Sequence, residues 1–367
     1  MKIMHILPSL YTGGAEKFCI DICNELSKNA NDTIYLCSLE KLNDKQQIMY
    51  QKIGKNVHFI SMNKVGKHPT LMFDIYKMLK EVKPDITHTH LRAQVYAAFG
   101  LIMSKIPNVH TVHSLAKKET TAGKRKFYAL LYKYFNFVPV SISQEVLNSV
   151  QLEYGKEFNE EIDNGVQKLE ATTALDDTRQ YIQTLKQNDK TKIFVNIGRV
   201  YPIKNQKLLI EAFDKLLDEG IDAHLLIIGS RIIVPSYAKE CEQMIRHKEN
   251  IHFLDEKSNI SDYLLCADAF CLSSSHEGMP MTILEAMSIG LPTIATPVGG
   301  IPDIIDEGMN GYISKDLSVS GYVDAFKTFL NKPTLDKEKI ISKFDSHYSV
   351  SITTQRYYNL YKRLVKK

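Results

Sequence analysis

Apolar residues recur along this chain at two spacings. Short runs such as KIMHIL (2–7), TIYLCSL (33–39), VHFIS (57–61), DITHTH (85–90), NVHTV (108–112) and FVPVSI (137–142) read as buried strands. Between them lie helical patterns such as AEKFCIDICNELSKN, with Phe18, Ile22 and Leu26 on one face. This strand–helix–strand repetition predicts a parallel sheet covered on both faces. The alternation falters over 151–190, which is polar and poor in strand signals. It restarts with KIFVNIG (192–198), AHLLIIG (223–229), NIHFL (250–254), AFCLSS (269–274) and PTIAT (292–296). A domain boundary is therefore expected near residue 167. Each half reads as a doubly wound α/β unit, with ligands expected at strand carboxyl ends and in a cleft between the halves. The tail SITTQRYYNLYKRLVKK predicts a helix with Tyr357, Leu360, Tyr361 and Leu364 on one face. It is either a solvated end or a helix that packs back on the first half.

Composition narrows the class. A length of 367 residues suits two domains, and 44% hydrophobic residues with a net charge of +4 exclude a disordered or fibrous chain. That charge is too mild to demand nucleic acid, although it leaves room for one basic surface. No apolar run approaches a membrane span. The start, MKIMHILPSLYTGG, is interrupted by His5 and Pro8 and is not expected to act as a signal peptide. The six cysteines form no Cys-x-x-Cys pair and are expected to be reduced core residues of a cytoplasmic protein.

Five motifs carry candidate chemistry. Gly13 and Gly14 sit between a strand end and a helix start, where backbone N–H groups could meet an anion; a plain tight turn is the alternative. Gly-x-Gly-x-x-Gly is absent there, which disfavours nicotinamide binding. Gly198 and Arg199 end a strand, and Lys204 follows in a short loop. The two cations either neutralise a diphosphate or are solvated. In SSSHEGMPMTILEAMSIGLP, a loop with Glu277, Gly278 and Pro280 leads into a helix carrying Glu285. Were the whole stretch helical, the two glutamates would stand about 12 Å apart, too far to share a proton. They suit two hydroxyl clusters of one extended ligand, against a surface-helix role for Glu285. Gly299–Gly300 makes a further turn after the next strand. DITHTHL places His88 and His90 on one face, but a metal would need a third ligand and no carboxylate is placed for it. His113, after NVHTV, either touches substrate or is satisfied by packing. Finally, residues 115–135 read as one basic helix. Lys117, Lys118, Lys124, Arg125, Lys126 and Lys133 alternate there with Phe127, Tyr128, Leu130, Leu131, Tyr132 and Phe135. It suits an anionic membrane surface or an ordinary solvated face.

The order GGAE, DITHTHL, TVHS, VSIS, DNGV, IGR-x4-K, LIIG, then Glu-x7-Glu within EGMPMTILEAM and TPVGG, resembles the retaining glycosyltransferases of family 4. The resemblance implies the GT-B fold, with two Rossmann-like domains facing a central cleft. It implies an acceptor-side domain of 1–167 joined by the C-terminal helix 348–367, and a nucleotide-sugar domain of 168–347. By the same resemblance, Gly13 and Gly14 would lie against the donor phosphate. Arg199 and Lys204 would stabilise the leaving diphosphate, next to Gly198. Glu277 would bind the transferred sugar and Glu285 the ribose. The loop Gly278, Met279, Pro280, Met281 would cradle sugar and phosphates, and His113 would stand near sugar and acceptor. The implied reaction moves a hexose or N-acetylhexosamine from a UDP-sugar to a saccharide acceptor, lipid-linked, in envelope polysaccharide synthesis, lipopolysaccharide or capsule. It would proceed with retention and without metal or other cofactor. Acceptor contacts would come from the loops around 40–70 and 92–126. The protein would be cytoplasmic, peripheral at the inner face of the cell membrane. A nucleotide-sugar epimerase of the same architecture and a non-catalytic partner subunit are the alternatives. Two positions depart from the family pattern. Ser230 and Arg231 follow Gly229, and Asp255 follows Leu254, where glycines are usual; both loops belong near the nucleotide base.

Overall fold

A computed structural model describes residues 1–64, 68, 70–332 and 334–366. Within the 40–70 loop expected to meet the acceptor, positions 65–67 and 69 lie outside the described residues, as does position 367 of the tail. The chain divides into two compact units, Met1–Val166 with His347–Lys367, and Gln167–Ser346.

In the first unit the parallel strands are β1 (Lys2–Leu7), β2 (Thr33–Glu40), β3 (Val57–Lys64), β4 (Ile86–His90), β5 (Asn108–Val112) and β6 (Phe137–Ser141). Their spatial order is β3-β2-β1-β4-β5-β6. Ile3, Met4, Ile6 and Leu7 of β1 are fully buried, as expected of a strand covered on both faces. The helix Gly14–Leu26 buries Phe18, Ile22 and Leu26. The C-terminal helix Val350–Val365 packs within this unit and buries Tyr357, Leu360, Tyr361 and Leu364.

The second unit repeats the plan with β7 (Lys192–Ile197), β8 (Ala223–Ile228), β9 (Ile251–Leu254), β10 (Ala269–Leu272), β11 (Thr293–Ala295) and β12 (Gly311–Ile313), ordered β12-β11-β10-β7-β8-β9. Counted from its own first strand, this is the same winding as in the first unit. Phe194, Phe213 and Phe326 meet edge to face in its core.

Three sequence readings change. Strand β12 was not expected. It has three residues and opens on Gly311, too short for a periodicity. The helix Leu175–Leu185 lies in the polar stretch and buries only Thr178 and Ile182. Residues 115–135 are not one helix: Ala116–Glu119 and Ala122–Tyr134 are separated at Thr120, whose backbone is extended (φ −155°, ψ 170°). The Arg125 guanidinium fixes the break by donating to the carbonyls of Lys117 (3.3 Å) and Thr120 (3.1 Å).

Candidate functional site

Strand order locates two candidate crevices. In a doubly wound sheet, ligands bind outside the carboxyl ends where the winding reverses. That point lies between β7 and β10 in the second unit, and between β1 and β4 in the first.

At the end of β7 the chain runs through Gly198 and Arg199 into a short 3-10 turn, Pro202–Lys204, closed by Asn205 in the left-handed region (φ 50°). Buried Gln206 ties this loop, donating to the Arg199 carbonyl (3.0 Å) and accepting from the Tyr201 N–H (3.4 Å). From the neighbouring strand, Ser273 donates to the Lys204 carbonyl (3.0 Å). Lys204 is therefore aimed across the switch point. Its Nζ lies 2.7 Å from Oε1 of Glu277, and the Ser274 hydroxyl donates to the same oxygen at 2.6 Å. Oε2 of Glu277 has no partner among the described residues. The Arg199 side chain is exposed and likewise has no partner among the described residues. A fixed carboxylate, a fixed ammonium and an open guanidinium thus come from two adjacent strand ends. Sequence reasoning singled out Arg199, Lys204 and Glu277. It missed Gln206, at the start of the helix Gln206–Asp218, and Ser273 and Ser274, whose signal was polarity at positions where a strand pattern predicts burial.

The Glu277 loop is held from behind. Gly299 has φ +63°, and a Cβ there would overlap the Glu277 carbonyl oxygen. The Gly300 N–H donates to the Gly278 carbonyl at 2.8 Å. Helix Met281–Ser288 begins only after Pro280, so the stretch from Glu277 to Glu285 is part loop rather than one helix. No side chain caps its N-terminus, which leaves backbone N–H groups for an anion. Met279 and Pro280 are buried and Met281 is half-buried. Glu285 is 4% exposed, which removes the surface-helix reading. The two departures from the family pattern turn out to be one feature: Arg231 pairs with Asp255 at 2.6 Å and also with Glu242.

The first unit's switch point opens on a pocket of about 400 Å³ lined by Ser9, Glu16, Arg92, His113 and Lys118, among others. Gly13 and Gly14 lie at the start of the Gly14–Leu26 helix, whose end has no side-chain cap. Behind the pocket, four histidines and two tyrosines are joined. His113 Nε2 lies 3.2 Å from His90 Nδ1, and His90 Nε2 lies 3.1 Å from His5 Nδ1. The Tyr361 hydroxyl reaches His5 Nε2 (3.4 Å) and His88 Nδ1 (2.6 Å). His88 Nε2 meets the Thr111 hydroxyl (2.7 Å), which meets that of Tyr357 (2.8 Å). Burial, then the neighbouring histidines, push His88 and His90 well below the usual imidazole range. Burial and the charge of His110 push His113 down to about 3. His88, His90 and His113 are therefore neutral at physiological pH. The sequence paired His88 with His90 and found no third ligand. The structure groups His90 instead with two other residues, without His88: His5 Nδ1, Cys19 Sγ and His90 Nε2 all lie within 4.8 Å of one another, a donor set that suits a soft ion. The same nitrogens are also satisfied by each other.

The helix Ala122–Tyr134 exposes Phe127, Leu130 and Tyr134, flanked by exposed Lys124, Lys126 and Lys133. Tyr128, Leu131 and Tyr132 face the core, and Arg125 pairs with Glu153 at 2.6 Å. No helix among the described residues is long and apolar enough to cross a membrane.

Comparison with known proteins matches both halves of the chain to family models. The model described as Glycosyltransferase Family 4 matches residues 12–166, and that of Glycosyl transferases group 1 matches residues 177–344. The chain is 26% identical over 295 residues to the Escherichia coli UDP-Gal:alpha-D-GlcNAc-diphosphoundecaprenol alpha-1,3-galactosyltransferase, covering 75% of each chain. It is 20% identical to the Staphylococcus aureus capsular polysaccharide biosynthesis glycosyltransferase CapH, covering 98% of each. Anabaena HepE, solved in complex with UDP-glucose, superposes with a TM-score of 0.82 at 19% identity, over 99% of this chain and 100% of that one. The neighbouring structures are glycosyltransferases of the GT-B fold.

Proposed function

This chain belongs to the family-4, group 1 glycosyl transferases, and we propose that it moves a hexose or N-acetylhexosamine from a UDP-sugar to a hydroxyl of a lipid-linked saccharide, with retention of configuration, in envelope polysaccharide synthesis. The observation that carries this reading is the Lys204–Glu277 contact at the β7/β10 switch point beside the unpartnered Arg199. The relatives' acceptors support the lipid-linked class: an alpha-D-GlcNAc-diphosphoundecaprenol in Escherichia coli and an N,N'-diacetylbacillosaminyl-diphospho-undecaprenol in Campylobacter jejuni.

In this reading the bond from the sugar's anomeric carbon to the diphosphate oxygen breaks, and its electron pair leaves with the diphosphate. Arg199, Lys204 and the N-terminus of the Met281–Ser288 helix meet that developing charge. The acceptor oxygen adds to the same carbon on the face just vacated, and its proton passes to the departing phosphate oxygen. Glu277, held through Oε1 by Lys204 and Ser274, keeps Oε2 for a sugar hydroxyl. Glu285 holds the ribose hydroxyls. Gly13, Gly14 and His113 keep the donor- and sugar-side roles the family implies, and Gly198 and the 278–281 loop supply backbone close to the donor. Catalysis is positioning and charge stabilisation, with no protein nucleophile and no metal. The lysine-flanked Phe127–Leu130–Tyr134 face rests on the anionic inner leaflet, which keeps the enzyme at its lipid-linked acceptor from the cytoplasmic side.

The test is a panel of UDP-sugars, each incubated with and without an undecaprenyl-diphosphate-linked saccharide, in the presence of EDTA. UDP release with one donor, accelerated by acceptor, and an axial product from an axial donor are expected. No UDP release from any donor overturns the donor class. An inverted product overturns retention, and loss of activity in EDTA restored by Mg²⁺ overturns metal independence.

A further inference from the structure

The chain of histidines and tyrosines behind the first unit's pocket runs in one direction, and one end of it sets that direction. The Tyr357 hydroxyl lies on the C-terminal helix, fully buried, and its one hydrogen-bond partner among the described residues is the Thr111 hydroxyl. Donating to Thr111 satisfies the buried Tyr357 hydrogen, whereas accepting would leave it without an acceptor among the described residues, at a cost in free energy. Tyr357 therefore donates to Thr111. The Thr111 hydroxyl has a single hydrogen, and it goes to His88 Nε2. A neutral imidazole carries one N–H, so His88 carries its proton on Nδ1 and gives it to the Tyr361 oxygen. The Tyr361 hydroxyl then donates to His5 Nε2, His5 Nδ1 to His90 Nε2, and His90 Nδ1 to His113 Nε2. Cys19, 3.6 Å from His5 Nδ1, and Cys23, which also hydrogen-bonds His5, can share the His5 hydrogen but do not reverse the order, because an N–H on His90 Nε2 would then face the His5 Nδ1–H at 3.1 Å. After Tyr357, which only donates, each group accepts once and donates once along the chain. The reverse order fails at Tyr357, which would hold a hydrogen aimed at nothing.

We propose that Tyr357, acting through Thr111, His88, Tyr361, His5 and His90, fixes His113 in the Nδ1–H tautomer, so that His113 presents a hydrogen-bond donor to an oxygen acceptor in the pocket. The Nδ1 atom has no partner among the described residues, and the ring lines the pocket with Ser9 and Arg92. This deepens the proposed function and rests on it for the identity of the ligand: a sugar oxygen accepts that hydrogen, and His113 is then a catalytic residue positioned by the other six. Hydrogens are assigned here by matching donors to acceptors. The C-terminal helix, the last segment of the chain, thereby decides the protonation of a residue more than two hundred positions earlier.

Nitrogen-15 NMR of histidine-labelled protein reads the tautomer without substrate. The wild type should show His113 with protonated Nδ1 and bare Nε2. Tyr357→Phe removes the first donor while keeping the ring, and should give His113 a mixture of tautomers. It should also lower kcat by roughly tenfold, the low end for loss of an outer-shell partner, at unchanged donor KM. Thr111→Val breaks the next link and should give the same mixture, which keeps the test alive if Tyr357→Phe fails to fold. A wild-type His113 protonated on Nε2 overturns the proposal, as does an unaltered tautomer in both variants. One equivalent of zinc bound by His5, Cys19 and His90 overturns it as well, because a metal would occupy the nitrogens the relay uses. A correct tautomer in a protein without transferase activity would instead leave the relay standing and remove the proposed function.

Discussion

The two units wind their sheets in the same order, yet their switch points hold opposite chemistry. Behind the crevice between β1 and β4, histidine, tyrosine and threonine side chains are joined in one hydrogen-bonded chain. Between β7 and β10 the polar groups are charged and only partly matched, with Arg199 and one oxygen of Glu277 left open. The winding fixes where a crevice forms, and the residues at strand ends fix what it can hold. A closed chain of buried hydrogen bonds orients one group with little freedom, whereas an open charged cluster can compensate a dianion. The largest expected effect therefore lies in the second unit. Arg199→Ala should cut turnover by roughly 10²–10³, as for removal of one preorganised donor to developing charge. Steady-state kinetics at saturating donor checks this. Unchanged turnover would sink the leaving-group role and, with it, the contrast.

The next effect separates binding from chemistry within the same unit. Glu285 is buried on the Met281–Ser288 helix. Its ribose contact would be equally present in ground and transition state, so Glu285→Ala should raise donor KM with kcat nearly kept. The loss of a charged hydrogen bond should amount to about 1.5–3 kcal/mol. Isothermal titration with UDP gives the same number without turnover. A collapse of kcat at constant KM would move Glu285 into the chemical step.

The contrast between the units also shows what could be read in advance. Eleven of the strands were legible from apolar runs, because strands buried on both faces need little else. The carboxyl ends of β2 and β3 were underread, and five others were overread by a residue or two, as at AFCLSS. There Ser273 and Ser274 leave the ladder to hold Lys204 and Glu277. In the second unit the charged residues stood out because a charge next to a strand end has few uses. In the first, His5 read only as an interruption of an apolar run. Its relation to His90 depends on β1 and β4 pairing in register, His5 beside His88, across a sequence gap of 83 residues. The break at Thr120 was hidden for a similar reason, since the Arg125 contacts that hold it are tertiary.

A smaller effect is expected at the exposed face of the Ala122–Tyr134 helix. Arg125 is occupied by Glu153 and by two carbonyls, so a charge reversal there would disturb the fold. Lys124, Lys126 and Lys133 are exposed and suit the test. Changing all three to Glu should abolish sedimentation with anionic vesicles, each cation being worth about 1 kcal/mol at such a surface. Donor hydrolysis should be unaffected. Wild-type binding to neutral and anionic vesicles alike, or no change in the variant, would make this a plain solvated face.

The smallest effect concerns the paired departures in the second unit. Arg231 and Asp255 stand where the family usually has glycines, and they contact each other at 2.6 Å. Asp255 is 78% exposed on its side chain, so the pair should add only ~0.2–1 kcal/mol to stability. If stability is all the pair does, Arg231→Gly, Asp255→Gly and the double change should each shift the melting midpoint slightly and leave kinetics alone. If instead the pair shapes the surroundings of the nucleotide base, the single changes should alter the ratio of kcat/KM for UDP- over other nucleotide-sugars. The double change should then behave like Arg231→Gly alone, which already dissolves this contact along with the one to Glu242. A double-mutant cycle on that ratio decides between the two, and a coupling near zero assigns the pair to stability alone. In that case donor recognition stays with the Arg199, Lys204 and Glu277 side of the switch point.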